Sequence, residues 1–160
     1  MRKEIVEHGT IEGKKKGEAE WLDLDTLAHV QLSSEDPAFP IENALGTKRE
    51  LNELGWRAVG PGAQTITLRF DAPQHIRRIF LRFVEREIER AQEIVLRYSS
   101  EKEKDHEIVR QQWTFSPTGS AQEIEDYEVK LESVTKLEIV IDPDRGRGHS
   151  LATLSALRLA

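Results

Sequence analysis

Two guanidinium groups and an imidazole fall within five residues in the run Arg145-Gly146-Arg147-Gly148-His149. The glycines allow a tight loop, and the cations suit a carboxylate or a set of hydroxyls, since a guanidinium is a rigid planar fork of donors. The same run also reads as a solvated hairpin tip. A second pairing, Trp56-Arg57, sets an aromatic face beside a cation. Sugar recognition asks for both types, an aromatic surface for the apolar side of a ring and planar charged groups for its hydroxyls. The ligand-binding candidates are therefore Trp56, Arg57, Arg145, Arg147 and His149, with a glycan or a small polar molecule as the ligand class.

Groups that would carry catalysis do not assemble in the same way. His106-Glu107 opens like the helix of a zinc protease, but Arg110 stands where the second histidine belongs. His8, His29, His75, His106 and His149 are scattered, so no metal site is expected. The absence of cysteine removes disulfides, thiolate ligands and cysteine nucleophiles. There is no Gly-x-Ser-x-Gly elbow, Walker loop or dinucleotide fingerprint. Glu85, Glu87, Glu89 and Glu93 offer the paired carboxylates of a glycosidase, yet Arg86 and Arg90 between them favour a salt-bridged, solvated surface. The expectation is a binding module with no catalytic residue.

The chain of 160 residues is long enough for one domain with one core. A net charge of −6 argues against nucleic acid, whose phosphates demand clustered cations. The one basic cluster, Lys14-Lys15-Lys16, lies among Glu12, Glu18 and Glu20 and reads as a solvated turn. Met1-Arg2-Lys3-Glu4 is not followed by an apolar segment, and no apolar stretch is long enough to span a bilayer. No membrane partner and a cytoplasmic setting are expected.

The elements that must position these candidates follow from period-2 alternation. Ile66, Leu68 and Phe70 share one face, and Asp71-Ala72-Pro73 breaks the run. Ile79, Leu81 and Phe83 come next, then Ile94, Leu96 and Tyr98, then Val109, Trp113 and Phe115. Tyr127, Val129 and Leu131 precede Leu137, Ile139 and Ile141, and Leu157 and Leu159 finish the series. Turns at Gly60-Pro61-Gly62, Ser116-Pro117-Thr118-Gly119 and Asp142-Pro143-Asp144 separate runs at a spacing that suggests a sandwich or jelly roll. One segment competes: Val84, Ile88, Ala91 and Val95 are spaced like a helix face among good helix formers. In an antiparallel sandwich successive connections alternate between ends. Segments 35–63, 85–92, 116–123 and 142–150 then gather at one end, with 71–75, 100–107 and 132–135 at the other.

The segment His29-Val30-Gln31-Leu32-Ser33-Ser34-Glu35-Asp36-Pro37-Ala38-Phe39-Pro40-Ile41-Glu42-Asn43-Ala44-Leu45 and the closing Leu151-Ala152-Thr153-Leu154-Ser155-Ala156-Leu157-Arg158-Leu159 resemble the discoidin family. This is the coagulation-factor 5/8 type C, or galactose-binding-like, group. The resemblance spans roughly residues 28–160 and implies an all-β jelly-roll sandwich that holds ligands on loops at one end. It makes 85–92 a loop between strands rather than a helix, and it makes Trp56 a frequent packing residue. The family's calcium site is expected to be absent. Gly46-Thr47-Lys48-Arg49 follows Asn-Ala-Leu where members carry acidic residues, and Ala156 stands where the final strand often has a glutamate. No cofactor is expected. Residues 1–20 read as an N-terminal extension and 21–160 as the sandwich domain. Binding of a carbohydrate or related small ligand at the 35–63/142–150 end is the leading expectation. The alternative is a protein-interaction domain that uses loop 85–92 as its contact surface.

Overall fold

The computed structural model describes residues 20–46 and 55–160. The expected extension 1–20, apart from Glu20, lies outside those residues, as do Lys14-Lys15-Lys16 and the Thr47-Lys48-Arg49 part of the segment on which the expected absence of a calcium site rests. Two helical turns, α1 (Leu24–Leu27) and α2 (Glu42–Leu45), accompany eight strands: β1 (Ala28–Leu32), β2 (Trp56–Pro61), β3 (Gln64–Val84), β4 (Arg90–Ser100), β5 (His106–Phe115), β6 (Gln122–Asp142), β7 (Leu151–Leu154) and β8 (Ala156–Leu159).

β3 and β6 are each 21 residues long and pair antiparallel from Gln64↔Ile141 to Val84↔Gln122. Laid straight, such a ribbon would reach about 70 Å, far beyond a domain of this size. It bends instead where the register shifts between Arg69 and Arg78, and Ser133 takes a left-handed φ of 51° on the opposite strand. Asp71-Ala72-Pro73 therefore does not end a strand, and neither does 132–135. Pro73 lies where the ladder with β6 is interrupted, so its missing N–H costs no bond there.

The bend distributes the partners. The first half of β3 lies between β1 and β6, and its second half between β8 and β6. β4 joins the second half of β6 and carries β5 on its outer edge, while β2 and β7 form a two-stranded sheet of their own. The two ends of β6 come back together around β4. Gln92 Nε2 donates to Glu123 Oε1 at 3.0 Å and Arg90 Nη1 to the Pro143 carbonyl at 2.8 Å.

The alternating residues meet in one core. Ile66, Leu68, Ile94, Leu96, Leu137, Ile139 and Ile141, together with Ile79, Leu81, Phe83, Leu157 and Leu159, are fully enclosed. Within 84–97, Val84 ends β3, residues 85–89 form a loop, and β4 starts at Arg90, two residues before the expected loop end. Helical spacing loses because Ile94 and Leu96 fill the core and Ile88 is 46% exposed, so no common helical face is buried. The two ends of the chain that carry the family resemblance touch. The buried Arg158 of β8 donates through Nη1 to the Ala44 carbonyl at 2.6 Å and so fixes α2 on the closing strand.

Candidate functional site

Four connections meet at one end of the sandwich. Glu85 N–H donates to the Ala121 carbonyl at 2.8 Å, Gly62 N–H to Ser150 at 3.2 Å, and Arg90 bridges to Pro143. The described residues of the segments expected to gather there meet through these bonds. Between residues 88–91 and the 143–150 loop lies a cleft of about 650 Å³, bordered by Ile88, Arg90, Asp144, Arg145, Arg147 and His149 among others.

The 143–150 loop takes its shape from two carboxylates. Asp142 Oδ1 accepts the Gly146 N–H at 2.9 Å. Asp144, 6% exposed, accepts three more: Gly148 N–H on Oδ1 at 3.1 Å, and His149 and Ser150 N–H on Oδ2 at 2.7 and 2.8 Å. Burial alone would push the Asp144 carboxyl up, but the backbone donors of His149, Ser150 and Gly148 together hold it below the usual range. The backbone curls tightly enough to need left-handed φ at Arg145 (52°), Gly146 (83°) and Gly148 (72°). A loop turned around its own carboxylates must point its remaining side chains outward. Arg145, Arg147 and His149 are exposed, and among the described residues neither arginine has a hydrogen-bonded side-chain partner. Arg145 acts at a distance on Glu93, whose carboxyl is held low first by Gln112, then by Arg110 and last by Arg145.

Beneath the cleft the polar groups turn inward. On β4, Arg90 and Gln92 occupy the same inward-facing positions as Ile94 and Leu96. Arg90 Nε donates to Glu85 Oε1 at 2.7 Å and Nη1 to Gln92 Oε1 at 3.1 Å, with the guanidinium 4.6 Å from the Phe115 ring centroid. Its Nη2 is buried without a partner. Burial raises the Glu85 carboxyl, and Arg90 and the Glu87 N–H more than reverse that, leaving it low. Glu123 next to Gln92 is fully enclosed, and burial followed by the charge of Glu125 pushes it up to about 7, against the pull of Gln92 and Arg90.

The sequence candidates separate. Arg145, Arg147 and His149 border the cleft together. Trp56 does not: it is fully buried, its Nε1–H donates to the Ser34 carbonyl at 3.1 Å, and it has no face open to a ligand. Arg57 pairs with Asp36 at 2.8 Å and lies 3.9 Å over the Phe39 ring, which pins the 34–40 turn instead of facing the cleft. Ala156 opens β8 and is buried. Among the described residues no group of three or more His, Asp or Glu could hold a metal, and no helix is long and apolar enough to cross a membrane. Several cleft residues were not among the sequence candidates, Ile88, Glu89 and Asp144 among them, and Arg90, expected on a solvated surface, is buried. The available signal was Asp142-x-Asp144 immediately before a glycine-spaced run, a pattern of acceptors ready to cap a turned backbone.

Solved structures of the same fold match most of this chain. The family 32 carbohydrate-binding module of NanJ from C. perfringens, in complex with galactose, has a TM-score of 0.56 and 13% identity over 87% of this chain and 96% of that one. The family 32 module of AlyQ in complex with 4,5-unsaturated mannuronic acid has a TM-score of 0.55 and 16% identity over 89% and 98%. Reduced XRCC1 bound to the catalytic domain of DNA polymerase beta has a TM-score of 0.56 and 19% identity over 84% and 95%. No protein-family model matches the sequence, and no curated protein does. At these identities the likeness establishes the fold: the chain is a galactose-binding-like β-sandwich, as the two terminal motifs implied.

Proposed function

We propose that this chain is a non-catalytic binding module that takes a carbohydrate in the cleft between residues 88–91 and the 143–150 loop. The observation that carries the reading is the loop itself. Asp144 spends its carboxylate on the backbone, so Arg145, Arg147 and His149 are presented outward on a shaped edge of a concave site. Preformed donors around a concavity are what a small polar ligand needs, because little ordering cost remains at binding. Support also comes from the company of the fold, since the NanJ and AlyQ modules are described with sugars bound. Ile88, 46% exposed at the rim, offers the apolar contact that Trp56 cannot. The alternative contact surface on loop 85–92 is weaker, because Arg90 is buried on the inner face.

A glycan array followed by titration of the best hits tests this. Binding is expected for the wild-type protein and for His75→Ala at the opposite end, and it should fall at least tenfold in the Arg145→Ala/Arg147→Ala double variant. An array with no glycan bound by a correctly folded protein would overturn the proposal.

A further inference from the structure

Among the described residues, two long stretches of strand keep one backbone edge unpaired. β5 ends its sheet and pairs with β4 alone, and the first half of β6, residues 122–131, pairs with β3 alone. Every second residue of such a strand turns its N–H and C=O away from the sheet, which makes a template for another strand. The two edges differ in charge. Residues 122–131 carry Glu123, Glu125, Asp126 and Glu128, so an antiparallel copy centred anywhere from Glu123 to Glu128 sets acid against acid. From Val109 to Phe115, β5 has one charged residue, Arg110. The opposite edge of its sheet, β1, is only five residues long.

We propose that β5 is a dimerisation edge, joining two copies of this chain antiparallel with Gln111 on the two-fold axis. The axis stands perpendicular to the joined sheet, so inner residues meet inner residues. Val109, Gln111 and Trp113 lie opposite Leu96, Ile94 and Gln92 of β4, on the inner side, and all three are half-buried. In this pairing each Val109 meets Trp113 of the second copy, an aromatic–aliphatic contact of the kind that stabilises sheets. Gln111 meets its twin, and two amides can exchange N–H for C=O. On the outer side Arg110 meets Gln112. Other registers do worse. Centring on Arg110 sets two guanidiniums face to face, centring on Gln112 sets Trp113 against Gln111, and centring on Val109 carries Trp113 past the strand. The register shift with β4 between Leu96 and Arg97 bounds the paired stretch near Ile108. The contact is therefore short, below the standard interface of about 1,600 Å², and the dimer is weak. It turns the two clefts to opposite ends of the joined sheet, and it stands whether or not the cleft takes a sugar.

Sedimentation velocity of the full chain, from low micromolar to near-millimolar concentration, should show a monomer–dimer equilibrium. Gln112→Lys sets a second cation against Arg110 of the other copy, twice by symmetry, and should weaken the dimer about tenfold. His75→Ala, at the far end of the sandwich, should leave it unchanged. The chain has no cysteine, so single-cysteine variants read the register. Under mild oxidation Gln111→Cys should give a disulfide-linked dimer, because directly opposed residues fall within disulfide reach. Arg110→Cys and Gln112→Cys should not, since their twins lie beyond about 7 Å. A chain that stays monomeric at every concentration would overturn the proposal and leave the edge to a strand of another protein. A dimer indifferent to Gln112→Lys, or one linked best through Arg110→Cys or Gln112→Cys, would overturn it as well. Unchanged thermal midpoints keep each outcome a statement about association.

Discussion

The two ends of this sandwich handle charge in opposite ways. At the end away from the cleft, ions find one another in water: His75 and Arg77 both reach Glu132, at 2.6 and 2.8 Å, and Lys136 reaches Asp105 at 2.6 Å. At the cleft end Arg90 pairs with Glu85 at side-chain exposures of 3% and 17%, Arg57 pairs with Asp36, and Arg145 and Arg147 have no ion pair among the described residues. Self-satisfied surface charge contributes little and recognises nothing. Charge left unmet on a rigid loop, above a buried network that holds the loop's foot, is the arrangement that a ligand can complete.

Replacing Arg90 by methionine should have the largest effect on that contrast. The change strands Glu85, Gln92 Oε1 and the Pro143 carbonyl in an enclosed space. Breaking one partner of a buried pair typically costs about 3–5 kcal/mol, and urea unfolding should register a loss of that order. A loss below about 1 kcal/mol would mean that the polar floor is not what holds this end.

Asp144→Ala comes second. Three backbone N–H groups lose their acceptor, and the loop can recover part of the loss by opening to water, so a destabilisation of roughly 2 kcal/mol is expected. Binding should suffer more than stability, because Arg145 and Arg147 are then carried on an untethered loop. Asp144→Asn, with one carboxyl oxygen kept, should fall between the two. A variant that unfolds as the wild type does and binds as well would remove the carboxylate from the account.

These residues also show what could be read before the fold was known. Ile66, Leu68 and Phe70 announced a buried face because strand periodicity is a local property, and the core took them as expected. The loops that meet at one end were also legible, although β3 and β6 bend through 71–75 and 132–135 where the count of strands assumed connections. Trp56 was legible only in part: its residue type suits a sugar platform, the resemblance makes it a frequent packing residue, and its pairing with Leu154 of β7 encloses it. Arg90 hid for a related reason. Placing a cation on the inner face depends on which residue starts β4, and one step of register would have turned it to solvent. Asp71-Ala72-Pro73 misled in the other direction, because a strand can pass through a proline where its ladder is already interrupted.

Glu123→Gln gives a smaller and pH-dependent effect. Burial holds this carboxyl up near about 7 in the folded chain, against an ordinary value of 4.5. The folded state then binds the proton more strongly than the unfolded one. Stability from this group is complete below about pH 4.5 and is lost as pH climbs to about 7. Glutamine keeps the acceptor for Gln92 and cannot ionise. The variant should match the wild type at about pH 4 and exceed it by roughly 1–2 kcal/mol at about pH 8. Equal gains at both pH values would show a packing effect rather than a charge held out of water between Arg90 and Glu125.

Arg77→Ala should produce the smallest change, and that is its use. It breaks an ion pair of the same 2.8 Å length as contacts at the cleft end, but both side chains are about half exposed, at 48% and 54%. Water solvates Glu132 once Arg77 is gone, and His75 stays beside it. Exposed pairs of this kind contribute about 0.2–1 kcal/mol, so the unfolding midpoint should barely move and glycan titration should be unchanged. Against the loss from Arg90→Met, the difference measures what an enclosed guanidinium network, including Gln92 and the Pro143 carbonyl, adds over an exposed one. Equal losses from the two would mean that distance, not burial, sets the worth of these pairs, and the contrast between the two ends would dissolve.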